Sequence, residues 1–261
     1  MAKVIALDAG HGLNTAGKQT PDGIKEWTLN DKVRDKIVDF LKGYDVEFIF
    51  PDNNEGLKDE GLTARRTMYV NQDADAAVSI HHNAYQGVWG KATGVEVYTD
   101  RNCTAADTEL AKLIYARLPK YTGLKGRGIK QMNWTVINQN AVPAVLVEGG
   151  FMDTKSDYAV ITSDAGQTAY AKAVAEALIE FLDLEKKESA PASTSGVFKV
   201  KFLEDMNVRK NAGTKYAKVT IAKKNYIYRI TQTRYVGNVL WGKLYSGAGW
   251  VCIADKYCTR V

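Results

Sequence analysis

Eight small and polar residues in a row, Ser189–Gly196, contain nothing a core can bury, and the chain changes character across them. Such a stretch reads as a linker. Before it, short runs rich in Val and Ile alternate with longer amphipathic stretches. After it come short β-rich pieces punctuated by Gly and Asn. The charge changes sign as well: residues 1–184 hold 20 Lys and Arg against 25 Asp and Glu, net −5, whereas residues 197–261 hold 13 against 3, net +10. This predicts two domains with separate electrostatic tasks, 1–184 and 197–261, joined by a linker over 185–196.

Periodicity supplies the fold class. Val4–Leu7 predicts a strand, Leu29, Val33, Ile37, Phe40 and Leu41 share one helix face, and Val46–Phe50 returns to strand. Leu62–Val70 predicts a helix, Ala76–Ile80 and Val95–Tyr98 strands, and Leu110–Leu118 a helix. Thr135–Ile137 and Ala144–Val147 predict further strands, and Ala169–Leu182 a closing helix. The alternation implies an α/β domain, a mostly parallel sheet flanked by helices. Beyond the linker, Val219–Ile221, Tyr226–Ile230, Val239–Leu244 and Trp250–Ile253 predict a small all-β barrel.

With 45% apolar and 25% charged residues the composition is that of a globular protein, which excludes disordered and fibrous classes. No apolar run approaches the roughly 20 residues of a membrane span. The start, Met1–Asp8, is too short and too soon interrupted by charge for a secretory signal, so release into the cytoplasm of the producing cell is expected. Three cysteines form no paired framework. The spacing of Cys252 and Cys258 suits neither a zinc knuckle nor a redox pair, and buried small hydrophobes are expected.

All three histidines lie in the first part, each just after a predicted strand: His11 in Asp8-Ala9-Gly10-His11-Gly12, and His81 and His82 in Ser79-Ile80-His81-His82-Asn83. The carboxyl ends of parallel strands form the crevice where ligands bind. Two separate strand-end sites favour a metal centre over isolated hydrogen-bonded histidines. A catalytic zinc takes three protein ligands and leaves a fourth position for water. Two histidines need one more partner, and a carboxylate from Glu26 or Glu148 completes the set. Glu26 opens a helix, where acids are common for dipole reasons alone. Glu148 ends an apolar run before Gly149-Gly150-Phe151, and a carboxylate there is costly to bury unless it is paired, bonded or working.

At these residues the first part resembles the zinc-dependent N-acetylmuramoyl-L-alanine amidases, in the form found in bacteriophage and prophage endolysins. The matching pieces are Asp8–Gly12, Glu26, Leu62–Arg65, Ala74–Ala84 and Pro143–Phe151, in the family's order. The resemblance implies zinc bound by His11, Glu26 and His81, with Glu148 as catalytic base and acid. It makes His82 the variable position of the motif, able to touch substrate, and Asn83 a supporting residue beside the substrate. The loop Leu13–Lys25 lacks the family's usual Asp-Pro-Gly-Ala stretch, and Met152-Asp153-Thr154 replaces the common Leu-Ser-Asn. The Arg65-Arg66 pair is either a surface face or a contact to stem-peptide carboxylates. Trp89 and Trp134 belong either to the groove or to the core.

Residues 197–261 resemble a bacterial Src homology 3 domain, through Met206–Tyr216, Leu240–Leu244 and Gly247–Val251. That resemblance implies cell-wall binding. Net +10 suits an anionic wall polymer, with Tyr and Trp offering flat contact surfaces. Nucleic acid and membrane insertion are not expected as partners.

The expectation is a peptidoglycan hydrolase of the endolysin type. It waits in the host cytoplasm until the membrane is opened, then cuts the bond between N-acetylmuramic acid and L-alanine. A zinc peptidase cutting within the stem or cross-bridge, and a catalytically inactive wall-binding protein, are the alternatives.

Overall fold

The computed structural model describes residues 2–53, 55–139, 141–186, 198–237 and 239–261. The chain divides into two compact units, Met1–Lys186 and Lys187–Val261. Of the expected linker, residues 187–196 lie outside the described residues.

The first unit runs β1 (Lys3–Ala9), α1 (Glu26–Leu41), β2 (Val46–Ile49), α2 (Leu62–Asn71), β3 (Ala76–Asn83), β4 (Val95–Thr99), α3 (Ala105–Thr122), β5 (Gly126–Gln131), β6 (Ala144–Phe151), α4 (Lys155–Ile161) and α5 (Asp164–Phe181). Its strands form one sheet in the order β2-β1-β3-β6-β4-β5. All neighbours are parallel except β4 against β6. The reversal has a local cause. Parallel neighbours need a crossover, commonly a helix, but residues 84–94 join β3 to β4 without one, so the chain turns back.

Two apolar clusters cover the two faces of this sheet, and strand alternation sorts the side chains between them. Ile5 and Leu7 of β1, Val78 and Ile80 of β3, and Val145 and Val147 of β6 face Leu29, Leu110 and Val174 of the α1, α3 and α5 layer. Ala6, Ala77, Ala144, Leu146 and Tyr98 face the other way, toward Tyr69 of α2. By the same parity, His81 and Glu148 belong to the α2 face and His82 to the helical layer.

The expected strand at Thr135–Ile137 is a turn. Val136 and Ile137 are buried under α2, and the Tyr69 hydroxyl donates to the Val136 carbonyl at 2.7 Å. A short apolar run signals burial whatever backbone carries it. Strand β5, whose residues alternate half-buried and exposed, and the short helix α4 carry too little apolar signal to be read from the sequence. Helix α5 begins five residues earlier than expected because Ser163 caps it, accepting from the Gly166 N–H at 3.0 Å.

The second unit is an antiparallel sheet of β7 (Phe198–Phe202), β8 (Met206–Arg209), β9 (Lys218–Ala222), β10 (Ile227–Val236), β11 (Val239–Leu244), β12 (Trp250–Cys252) and β13 (Cys258–Arg260), in the order β13-β7-β10-β11-β12-β8-β9. Its core holds Phe202, Ile230, Trp241, Trp250, Cys252 and Cys258. The two tryptophans expected to offer contact surfaces are therefore core residues, and the strongly exposed aromatics are Tyr226 and Tyr245. Among the described residues no helix is long and apolar enough to cross a membrane.

Candidate metal centre

Strand β1 ends at Ala9, and the next residues turn sharply enough to put His11 at φ +66°, in the left-handed region. Gly10 makes this possible by close approach: a Cβ there would lie 2.1 Å from the His81 ring. Its N–H donates to the Ile80 carbonyl at 3.0 Å, tying the β1 end to β3. Glu26 is the first residue of α1, and its backbone N–H donates to the Lys18 carbonyl at 3.0 Å. Its side chain is thereby aimed at the strand ends. One carboxylate oxygen lies 3.1 Å from His81 Nδ1, and the other 3.3 Å from His11 Nε2. The two imidazoles meet edge to face at 4.9 Å.

One donor atom from each of His11, Glu26 and His81 falls within a 4.8 Å cluster, and this is the one such group among the described residues. Two imidazole nitrogens and one carboxylate, with an approach left open, make the donor set of a catalytic zinc site. A cavity of about 320 Å³ opens beside it, lined by His11, His81, Asp8, Ser79, Asp59 and Leu62 among others. The residues fit a divalent metal.

Electrostatics agree for His11 and Glu26. Burial lowers His11 to a pKa of about 4, with Glu26 opposing and His81 assisting, so its imidazole is neutral and has a lone pair to give. Burial raises Glu26, but the hydrogen bond and charge of His81 outweigh it and hold the carboxylate ionised. Burial lowers His81, and its contact with Glu26 more than reverses that.

Glu148 pairs in register with His81 across the β3–β6 ladder and with Glu96 across β6–β4. It is buried, and one carboxylate oxygen has no hydrogen-bond partner. Burial first, then the charges of Glu26 and Glu96, push its carboxyl up to about 8. Glu96 was not read from the sequence. It is held by Asn83 Nδ2 at 2.7 Å, Arg127 Nε at 3.2 Å and the Lys130 ammonium. Asn83 is thus placed beside the site through Glu96.

Two expected substrate contacts are buried and have partners within the fold. Arg65 is 1% exposed. Its donors go to Asp8 Oδ1 (2.6 Å), the carbonyls of Glu60 (2.8 Å), Ala9 (2.9 Å) and His11 (2.7 Å), and Asp59 Oδ1 (3.0 Å). A guanidinium has five N–H donors, so none remains for a ligand. Arg65 instead braces the turn that carries His11. His82 is 2% exposed, against Tyr170 of α5 at 5.6 Å between ring centroids and with Nδ1 2.8 Å from Asn30 Oδ1. Burial lowers it to a pKa of about 4. Alternation along β3 turns it away from the crevice.

Arg66 donates to the Asn138 carbonyl at 3.0 Å. Trp134 packs on Tyr98 at 4.4 Å, whereas Trp89 is partly exposed on the β3–β4 loop, with Lys155 Nζ 3.3 Å above its ring. That loop is anchored by Asp153, whose Oδ2 accepts the N–H groups of Tyr85, Gln86 and Gly87. Asn30, one helical turn after Glu26, is a further neighbour that sequence reading missed. Its spacing from Glu26 was the available signal.

Residues 5–180 match the family Amidase_3, N-acetylmuramoyl-L-alanine amidase. The endolysin of Bacillus phage SPP1 is 30% identical over 99% of this chain and 98% of that protein. The sporulation-specific N-acetylmuramoyl-L-alanine amidase of Bacillus subtilis (strain 168) is 28% identical over 75% of this chain and 72% of that protein. Among solved structures, the N-acetylmuramoyl-L-alanine amidase of Clostridium difficile 630 superposes with a TM-score of 0.65 at 28% identity, covering 70% of this chain and 97% of that one. The catalytic domain of CwlV from Bacillus (Paenibacillus) polymyxa var. colistinus gives 0.64 at 28%, covering 70% and 99%. The family match spans nearly all of β1 through α5 and includes every residue of the donor cluster, so the chain belongs to the N-acetylmuramoyl-L-alanine amidase family of peptidoglycan hydrolases.

Proposed function

We propose that this amidase is a zinc enzyme of the endolysin type, in which His11, Glu26 and His81 hold the metal and Glu148 is the catalytic base and acid. The observation that carries the reading is the convergence of three donors within 4.8 Å at the strand ends, with Glu148 paired in register with one of them. Bound zinc supplies a Lewis acid for the scissile carbonyl and lowers the pKa of water toward about 7. Glu148 accepts a proton from the attacking water and returns it to the leaving amine of L-alanine. One buried carboxylate suits both tasks, because burial narrows the gap between its affinity for a proton and that of its partners. Arg65 and Asp8 keep the His11 turn in place, and Glu96 and Asn83 back the Glu148 side of the crevice.

The second unit is read as a bacterial Src homology 3-like wall-binding domain. Its net +10 charge attracts anionic wall polymer, and the likeness to a phage endolysin extends over both units. Synthesis in a host cytoplasm, with action on the wall after the membrane is breached, fits that plan.

The test is mass spectrometry of soluble products from purified Gram-positive peptidoglycan, with and without a chelator. Stem peptides with a free L-alanine amino terminus, lost on chelation and restored by zinc, are expected. Chelator-sensitive cuts inside the peptide would make the enzyme a zinc peptidase instead. No products from several wall types would leave an inactive wall-binding protein and remove the role of Glu148.

A further inference from the structure

We propose that His82 is a positioning residue for the metal centre, a neutral imidazole protonated on Nδ1 that locks the Asn30 amide so that its N–H donors serve Glu26 and the Gly10 carbonyl. The inference rests on the zinc reading above and adds two residues to it, neither of which touches substrate.

Asn30 is fully buried on α1, four residues after Glu26. Its Nδ2 lies 3.1 Å from the Gly10 carbonyl oxygen and 3.5 Å from Glu26 Oε1. Both are oxygens that only accept, so the nitrogen of the amide must face them. The amide oxygen then faces His82 Nδ1 at 2.8 Å, and that contact is a hydrogen bond only if Nδ1 carries the proton. His82 Nε2 is buried with no partner, which again leaves it as the bare nitrogen. Protonating it would bury an N–H without an acceptor.

The consequence reaches two ligand positions. Turned by 180°, the Asn30 amide would set its oxygen against Glu26 Oε1 and the Gly10 carbonyl. The Nδ1–H of His82 prevents that turn. The Gly10 carbonyl lies one residue before His11, so the same amide steadies the His11 turn and the Glu26 carboxylate. The backbone N–H of His82 adds a direct bond to Glu26 Oε1 at 3.1 Å. Partners that orient metal ligands in this way are typically worth about 10- to 100-fold in metal affinity.

The test is zinc affinity of the full chain, measured by competition with a chromogenic chelator. The wild type, His82→Phe, His82→Gln, Asn30→Ala and the Phe/Ala double variant are compared. His82→Phe keeps a ring but removes the donor, and about 10-fold weaker zinc binding is expected. His82→Gln restores an N–H donor and should recover most of the loss. The double variant should bind no more weakly than Asn30→Ala, because His82 acts through Asn30. Nitrogen chemical shifts of the wild-type imidazole read the tautomer directly, should a variant fail to fold. Protonation at Nε2, unchanged affinity in a folded His82→Phe, or additive losses would each overturn the inference. A wild type that binds no zinc would overturn the zinc reading, and the inference with it.

Discussion

His81 and Glu148 occupy directly paired positions on adjacent parallel strands, β3 and β6, on the face of the sheet that looks toward α2. Neighbouring strands stand about 4.8 Å apart, so the ladder itself sets the spacing between a candidate metal donor and a carboxylate. No loop has to be ordered for the two to meet. Their relation to Glu26 is secured from the other direction, by the start of α1.

Replacing Glu148 by Gln keeps the shape and removes the titratable carboxyl. Zinc binding and folding should survive, while turnover of peptidoglycan should fall about 10²- to 10⁴-fold. Product release from labelled walls, measured beside zinc content, checks both halves.

The same substitution has a pH signature in the metal-free protein. Burial holds the Glu148 carboxyl at about 8 against 4.5 unfolded, so the folded state keeps a proton that the unfolded chain loses. The stability this proton contributes is full below pH 4.5 and is lost as pH rises toward 8. Metal-free Glu148→Gln should therefore gain on the wild type steadily between those values. Urea unfolding across that range checks the trend.

Arg65→Met should destabilise the first unit by about 3–5 kcal/mol, since it leaves Asp8 as a buried, unpaired charge. Were Arg65 a substrate contact, KM would rise and stability would hold. Denaturant unfolding with parallel kinetics separates the two.

Gly10→Ala places a methyl group 2.1 Å from the His81 ring. The ring must move, so zinc affinity should drop by at least about 10-fold while the fold persists. Chelator competition beside circular dichroism checks this.

Retention on purified walls through the second unit, with its net charge of +10, should weaken as ionic strength rises from about 0.05 M to about 0.5 M. A salt-independent retention would assign the binding to uncharged contacts such as Tyr226 and Tyr245.

Much of the first unit was legible because its signals are local. Val4–Leu7, Ala76–Ile80 and Ala144–Val147 announce buried strands by composition, and Leu29, Val33 and Ile37 announce a helix face by spacing. Thr135–Ile137 failed for the converse reason: burial of Val136 and Ile137 comes from packing against Tyr69, far away in sequence, and demands no extended backbone. Strand β5 pairs with β4 through its backbone, which no side-chain pattern reveals.

The sequence alone determined the two-part plan and the chemistry on offer: histidines and carboxylates at strand ends, in the order of an amidase family, ahead of a basic β-rich segment. Tertiary structure decided which of those groups are free to act. Arg65 looks like a ready cation until Asp8, 57 residues away, and the Ala9 and His11 carbonyls take its donors. His82 adjoins a candidate metal ligand in sequence yet turns to Asn30, because successive strand residues face opposite sides. Glu96 reaches Glu148 only across the antiparallel β4–β6 pairing. Residue type and spacing are written along the chain, whereas burial and partnership are set by segments that meet only once the sheet has formed.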